Sequence, residues 1–383
     1  MLGHIMEWTS RSDIATLIHR ILRSRRFIAA AMLLAMTVAG AVNTSERAAK
    51  SSPGATHISL LRLVGDYPLP GRATRWDYMS LDPGESRLFL AHLGDSSVVV
   101  VDTKTKTVVA TINGIGEPHG VLAIPELGHV YVSATKTNEV VAIDATTLRV
   151  TARIPGGVYP DGMAYAPEVH KLYVSDEAGG TETVIDARSN KRVATIRLGG
   201  EVGNTQYDSV SKRIFVNVQG TRELIEIDPS TDTVVQRTTL VGADGNHGLL
   251  IEPARRLAFI ACEGNGKLFV MNLNTHKIVS RFGTGKGPDV LAYDAGLGLV
   301  YVASESGTVS QFKLSEQGLT KSGEGFVGPN AHVVAVDPAT HEVYFPLKKV
   351  GRQPVLRVMK PVPGSIAAAA RSSAISGILF DFI

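Results

Sequence analysis

Apolar residues in this chain come in short runs separated by turns. Runs rich in Val, Ile, Leu and Tyr, such as Val130–Ser133, Lys171–Ser175, Leu257–Ala261 and Val300–Ala303, alternate with segments rich in Gly, Asp, Asn and Pro. Runs of that length and composition, bounded in that way, predict β-strands. One phrase recurs among the turns: Asp or Asn, two residues, then Thr or Ser. It stands at Asp102/Thr105, Asp144/Thr147, Asp186/Ser189, Asp228 with Ser230–Thr231, and Asn272/Thr275, so the leading residues are 42, 42, 42 and 44 apart. A near-constant interval of this size marks an array of identical supersecondary units. The Asp and Thr oxygens are suited to accept backbone N–H groups two or three residues on and close a turn, which is a structural role.

Each unit reads as four strands, and four strands in about 40–45 residues is the signature of a propeller blade. First strands begin near Asp77, His119, Asp161, Gly203, His247, Asp289 and His332, which makes seven units. The seventh has no fourth strand after Val355–Met359, whereas a spare strand, His57–Val64, precedes the first unit. The expected fold is therefore an all-β, seven-bladed β-propeller of four-stranded antiparallel blades. Its ring is closed by the N-terminal strand, which leaves no open edge between first and last blades.

The segments Val130-Tyr131-Val132-Ser133, Leu172-Tyr173-Val174-Ser175 and Val300-Tyr301-Val302-Ala303, with Pro160-Asp161-Gly162 upstream and Val184-Ile185-Asp186 downstream, resemble the YVTN-type seven-bladed propellers of secreted bacterial proteins. The resemblance covers roughly residues 57 to 360. It implies the fold but selects no activity, because such propellers host binding proteins, lactonases and lyases alike. Two places depart from the pattern: Gly203 stands where Asp or His is usual, and Phe312 replaces the turn Asp.

Composition narrows the classes. The 383 residues are 44% apolar and 20% charged, which suits one large globular domain. The net charge of +3 is spread along the chain and gives no nucleic-acid footprint. A single cysteine, Cys262, excludes an internal disulfide framework and a Cys-based zinc site. Residues 1–41 read as a secretory signal with an over-extended start or a long basic region. Arg20, Arg23, Arg25 and Arg26 precede the apolar stretch Phe27–Val38, and Ala39-Gly40-Ala41 offers a cleavage point. The apolar stretch is short of the ~20 residues a membrane span needs. Residues 42–56 read as a polar linker, 57–362 as the propeller, and 363–383 as a tail that matches no blade. The mature protein is expected in the periplasm or outside the cell, as a monomer without a membrane span.

Candidate chemistry follows from the repeat. Seven aligned positions at the start of the first strands hold Asp77, His119, Asp161, Gly203, His247, Asp289 and His332. The loop into the first strand and the loop after the second lie on one face of a blade. These residues should thus converge on one mouth of the central channel. Sixteen positions further along each repeat stand Leu93, Thr135, Glu177, Gln219, Glu263, Glu305 and Lys348, at the edge of the same face. Trp76, Asn204, Asn246 and Asn330 lie close by in sequence, with Arg75 and Tyr159; His92 ends the matching strand of the first blade. Three readings remain open. The ring braces its own loops by hydrogen bonds to backbone. Alternatively His119, His247 and His332 share a divalent metal ion with nearby carboxylates. Or the mouth is a metal-free polar pocket with a histidine base. The expected activity is binding of a small molecule, ion or protein partner at this mouth, with Trp76, Asp77, Asp161, Asn204, Asn246, Asp289 and Asn330 as contacts. The rival is a metal-dependent lactonase, hydrolase or lyase in which Glu177, Glu263 or Glu305 moves the proton.

Overall fold

The computed structural model describes residues 60–363. The expected signal and linker segments and the tail beyond residue 363 lie outside the described residues. Seven four-stranded antiparallel sheets form a seven-bladed propeller, and in six of them the strands follow chain order. Blade seven is composite. Its order is Leu61–Pro68, Gln353–Pro361, Glu342–Val350, Ala335–Asp337, so the N-terminal strand supplies the missing outer strand. No helix among the described residues is long and apolar enough to cross a membrane.

The closing strand differs from its sequence reading in position. The expected His57–Val64 becomes Leu61–Pro68, which pairs with Gln353–Pro361 from Leu61↔Pro361 to Pro68↔Val355. The strand continues because the chain absorbs an irregularity between Leu63 and Gly65 and resumes pairing. Beyond it, Asp66 receives the Arg357 guanidinium with both oxygens, at 2.8 and 2.7 Å. Val64 is the residue left over at the irregularity, and Gly65 and Asp66 pair regularly with Val358 and Arg357.

Burial explains the repeat. Seven apolar clusters fill the interfaces between neighbouring blades, including the one joining blade seven to blade one through Trp76, Leu88, Tyr344 and Leu356. Four second strands carry a buried tyrosine (Tyr131, Tyr173, Tyr301 and Tyr344) and three a phenylalanine (Phe89, Phe215 and Phe259). The Tyr131 hydroxyl donates to Asn190 Oδ1 at 2.7 Å and to the Ala187 carbonyl at 3.1 Å, both in the Asp186 turn of the next blade. Tyr173 makes the equivalent bond to Asp232. Tyr301 finds no partner for its hydroxyl, because blade seven carries no such turn. The repeated Tyr and the repeated Asp turn are thus two halves of one inter-blade joint.

The turn itself has the expected chemistry: Asp186 Oδ1 accepts the N–H groups of Arg188 and Ser189, both at 2.9 Å. These bonds hold its carboxyl below the usual range. Asp186→Ala is expected to cost about 1 kcal/mol, a Tm lower by roughly 2 °C in a domain of this size. Calorimetry of the variant checks this.

Candidate functional site at the channel mouth

Crowding at the axis decides which residues begin the first strands. Neighbouring first strands approach so closely that a Cβ at Gly120 would meet the Asp161 carbonyl at 2.1 Å, and one at Gly248 the Asp289 carbonyl at 1.9 Å. Gly203, the exception in the ring of polar residues, has the same cause: its Cβ would lie 2.8 Å from the His247 carbonyl. Just outside this collar the chain opens. Two residues before each ring position the backbone is left-handed at Glu117, Tyr159, Gly245, Gly287 and Asn330. The carbonyls there accept N–H groups from the loop after the second strand. Glu177 N bonds to the Tyr159 carbonyl, Gln219 N to Glu201, Glu263 N to Gly245 and Glu305 N to Gly287, at 2.7–2.9 Å. This repeated bond sets the loop carboxylates beside the ring.

The result is a cavity of about 480 Å³ at one end of the channel. Of the ring, Asp77, His119, Asp161, His247 and Asp289 line it; of the following loops, Leu93, Glu177, Gln219, Glu263 and Glu305. Arg75, Tyr78, Glu117, Tyr159 and Glu201 complete the wall, which carries eight carboxylates and one guanidinium. The ring histidine His332 is buried behind Glu305 and Asp289, with Nε2 3.9 Å from Glu305 Oε1 and 4.0 Å from Asp289 Oδ2.

Several expected contacts lie elsewhere. Trp76 is buried between blades and stacks on His92 at 3.7 Å, while His92 turns toward Thr74 and Asp95 and does not reach the mouth. Asn246 is fully buried and donates to backbone carbonyls of Val218 and Glu223. Both residues stand one position before the ring, alongside Pro118, Pro160, Val202, Pro288 and Ala331, all of them buried. Alternation along a strand turns that column away from the channel. Asn204 stands one position after the ring, below the mouth, and its Oδ1 accepts the Tyr78 hydroxyl at 2.6 Å. Asn330 sits at the rim and donates to Glu305. Thr135 is also withdrawn, donating to the Pro160 carbonyl.

The three histidines do not share one ion position. They stand on blades two, five and seven. His119 Nδ1 faces the Glu117 carbonyl at 3.0 Å and its Nε2 the Tyr159 hydroxyl at 3.1 Å. Among the described residues, donor atoms lying within 4.8 Å of one another occur in two sets: His247, Glu263, Asp289 and Asp289, Glu305, His332. Both sets join adjacent blades, and His247 Nε2 also lies 3.6 Å from Asp161 Oδ2, two blades away.

Burial and like charge shape the titration of the mouth. Burial, with Asp161 nearby, raises Glu177 to about 7. Burial likewise raises Asp161 and Glu263, and Asp289 well above its ordinary value. For His247 burial pulls down, but Glu263, Asp289, Asp161 and Glu177 outweigh it and raise the imidazole to about 9. His332 shifts the other way, lowered by burial and by Arg75. Arg75 stays charged, held by Glu305 at 2.7 Å and Asp77 at 3.3 Å. Tyr78 closes the floor, its hydroxyl 3.3 Å from His247 Nε2. The sequence reading missed Tyr78, Glu117 and Glu201. The latter two stand two residues before the ring, a column that an alignment of the seven repeats exposes.

No protein-family model and no curated protein matches the chain. Solved structures do. A chain of hydrazine synthase from Kuenenia stuttgartiensis is 16% identical with a TM-score of 0.64, covering 73% of this chain and 94% of that one. Virginiamycin B lyase from Staphylococcus aureus is 9% identical with a TM-score of 0.65, covering 78% and 99%. A chain of the mitotic checkpoint complex is 13% identical with a TM-score of 0.66, covering 86% and 99%. At these identities the likeness shows the fold alone, and proteins with that fold carry unrelated activities.

Proposed function

We propose that the chain is an exported propeller of the YVTN type whose channel mouth binds a small cationic ligand. One observation carries the reading: eight carboxylates face a cavity of about 480 Å³ with only Arg75 and His247 to balance them. Ionised carboxylates withdrawn from water are costly unless paired. Burial raises several of them, Glu177 to about 7, and a bound cation would offset the same cost in place of a proton. The volume falls within the range of about 300–1,000 Å³ typical of small-molecule sites. The anchoring groups are Asp161, Glu177, Glu263 and Asp289, with Tyr159 and Tyr78 offering hydroxyls and aromatic faces. Export is supported by the basic and apolar segments before residue 42, and the YVTN reading by the repeated Tyr strand and Asp turn.

A second reading keeps the same site and adds chemistry: a metal-dependent lactonase, hydrolase or lyase. It is favoured by the two imidazole–carboxylate sets and by Glu177, whose pKa of about 7 suits proton transfer near neutrality.

A thermal-shift panel at pH 7.5 tests the binding reading. Divalent cations, small primary amines and quaternary ammonium compounds are compared with matched carboxylates and phosphates. A ligand at 100 times its Kd stabilises by about 2.7 kcal/mol. The expected result is a raised Tm with at least one cation class and none with the anions. Stabilisation by anions alone would defeat the reading. Fractionation of expressing cells checks the export element, with the mature chain expected outside the cytoplasm.

A further inference from the structure

We propose that Asp289 is the shared ligand of two neighbouring divalent transition-metal ions, one held with His247 and Glu263 and the other with His332 and Glu305. The inference rests on the cation-binding reading and names the cation. Its first support is spacing. Asp289 presents a different oxygen to each imidazole: Oδ1 lies 3.8 Å from His247 Nε2 and Oδ2 4.0 Å from His332 Nε2. Glu305 Oε1 is 3.9 Å from the same His332 nitrogen. These gaps are too wide for hydrogen bonds. His247 Nε2 also faces the Tyr78 hydroxyl at 3.3 Å and Asp161 Oδ2 at 3.6 Å, so an ion there displaces the Tyr78 contact and has Asp161 within reach. Two donors on one ion, each about 2.1 Å from it, stand roughly 3–4 Å apart. The donors are therefore spaced as ligands around a shared position.

The second support is independent of spacing. His332 Nε2 and Asp289 Oδ1 are buried atoms without a hydrogen-bond partner, on side chains only 2% and 6% exposed. The His332 ring is oriented by its other nitrogen, which lies 2.9 Å from the Asn330 carbonyl. A carbonyl only accepts, so Nδ1 carries the proton and Nε2 of the neutral ring presents its lone pair to the gap. A backbone carbonyl behind the ring is the usual outer support of a metal-ligating histidine. His247 has Gln219 in the corresponding place, 3.0 Å from Nδ1, and its amide oxygen can accept the same proton once the amide is turned.

Donor type selects the metal. One imidazole and two carboxylates per position suit zinc, manganese, iron or cobalt, whereas calcium and magnesium favour oxygen alone. A carboxylate between two ions is also the clamp of two-metal sites. The positions are unequal. Glu305 is already held by Arg75 and Asn330, while among the described residues no side chain donates a hydrogen bond to Glu263. The His247 position should fill first.

The test is zinc titration of chelator-treated full-length protein, by calorimetry and by equilibrium dialysis with elemental analysis. Two ions per chain are expected, the first bound more tightly. Asp289→Asn should weaken both at least 100-fold, His332→Ala should remove the weaker ion, and His247→Ala the tighter. Circular dichroism confirms that the variants fold, and cobalt(II) absorption reports imidazole ligation. Stoichiometry of the parent needs no variant: one ion or none overturns the inference, as do two ions undiminished in Asp289→Asn. If zinc does not bind but a small amine does, the two-ion inference falls and the cationic mouth stands. If neither binds, both fall.

Discussion

A chain that begins at Leu69 is expected to lose its cooperative thermal transition. Among the described residues the deleted strand, Leu61–Pro68, is the only partner of the outer edge of Gln353–Pro361, along the pairing from Leu61 to Pro68. It also anchors Arg357 through Asp66, and Arg357 reaches the Val327 carbonyl after blade six. Tyr67 packs against the cluster between blades seven and one. Without the strand, blade seven keeps three strands, of which Ala335–Asp337 is only three residues long. The last interface in the ring then has no covalent bridge between the two ends of the chain. Domains have net stabilities of about 5–15 kcal/mol, and loss of a strand's ladder and packing is of that order. Scanning calorimetry should show a broad transition or none. A sharp transition within about 5 °C of the parent would mean that the ring closes without this strand.

The second large effect is the pH dependence of the ligand-free protein. Glu177 has a folded pKa of about 7, above its unfolded value, so the folded state holds its proton longer. Its contribution is favourable at low pH and is lost as pH rises from the ordinary carboxylate range through 7. Asp161, Glu263 and Asp289 are raised as well and act in the same direction. His247 is raised to about 9, so its stabilisation is complete below its ordinary imidazole range and is lost as pH rises through 9. All these groups make the empty mouth less stable from pH 5 to pH 9. The turn carboxylates oppose them only in acid. Asp228, held at about 2 by Ser230 and Arg213, loses its contribution as pH falls through that value, and Asp186 and Asp208 are also lowered. Maximum stability in the presence of a chelator is expected near pH 5, with Tm falling by several degrees by pH 8. Glu177→Gln should flatten the fall. A Tm that rises steadily from pH 5 to pH 8 would show that the mouth carboxylates are neutralised within the fold.

The fold was legible because its repeat is written in residues with local jobs. The Asp turn and the second-strand Tyr recur at one interval since each joins a blade to its neighbour. The closing strand was legible in existence but not in position, because its partners from Gly65 to Pro68 lie in Val355–Val358, nearly the whole chain away, and the apolar run in sequence stops at Val64. The ring and the loop carboxylates could be placed by counting, since every repeat keeps the same offset between them. Trp76 and Asn246 could not, because nearness in sequence ignores the alternation of strand faces. The metal pairing failed for a related reason. Counting shows which residues reach the mouth, but only the angular order of the blades shows that Asp289 stands between His247 and His332.

The central claim, that protonated carboxylates at the mouth await a cation, is tested most directly by counting protons released on binding. Calorimetric titration of the stabilising cation at pH 7, repeated in buffers of different ionisation enthalpy, measures that number. Because binding must displace protons from His247 and the raised carboxylates, the account predicts release of about one proton or more per chain, reduced in Glu177→Gln. Binding with no proton release, or with proton uptake, would contradict it.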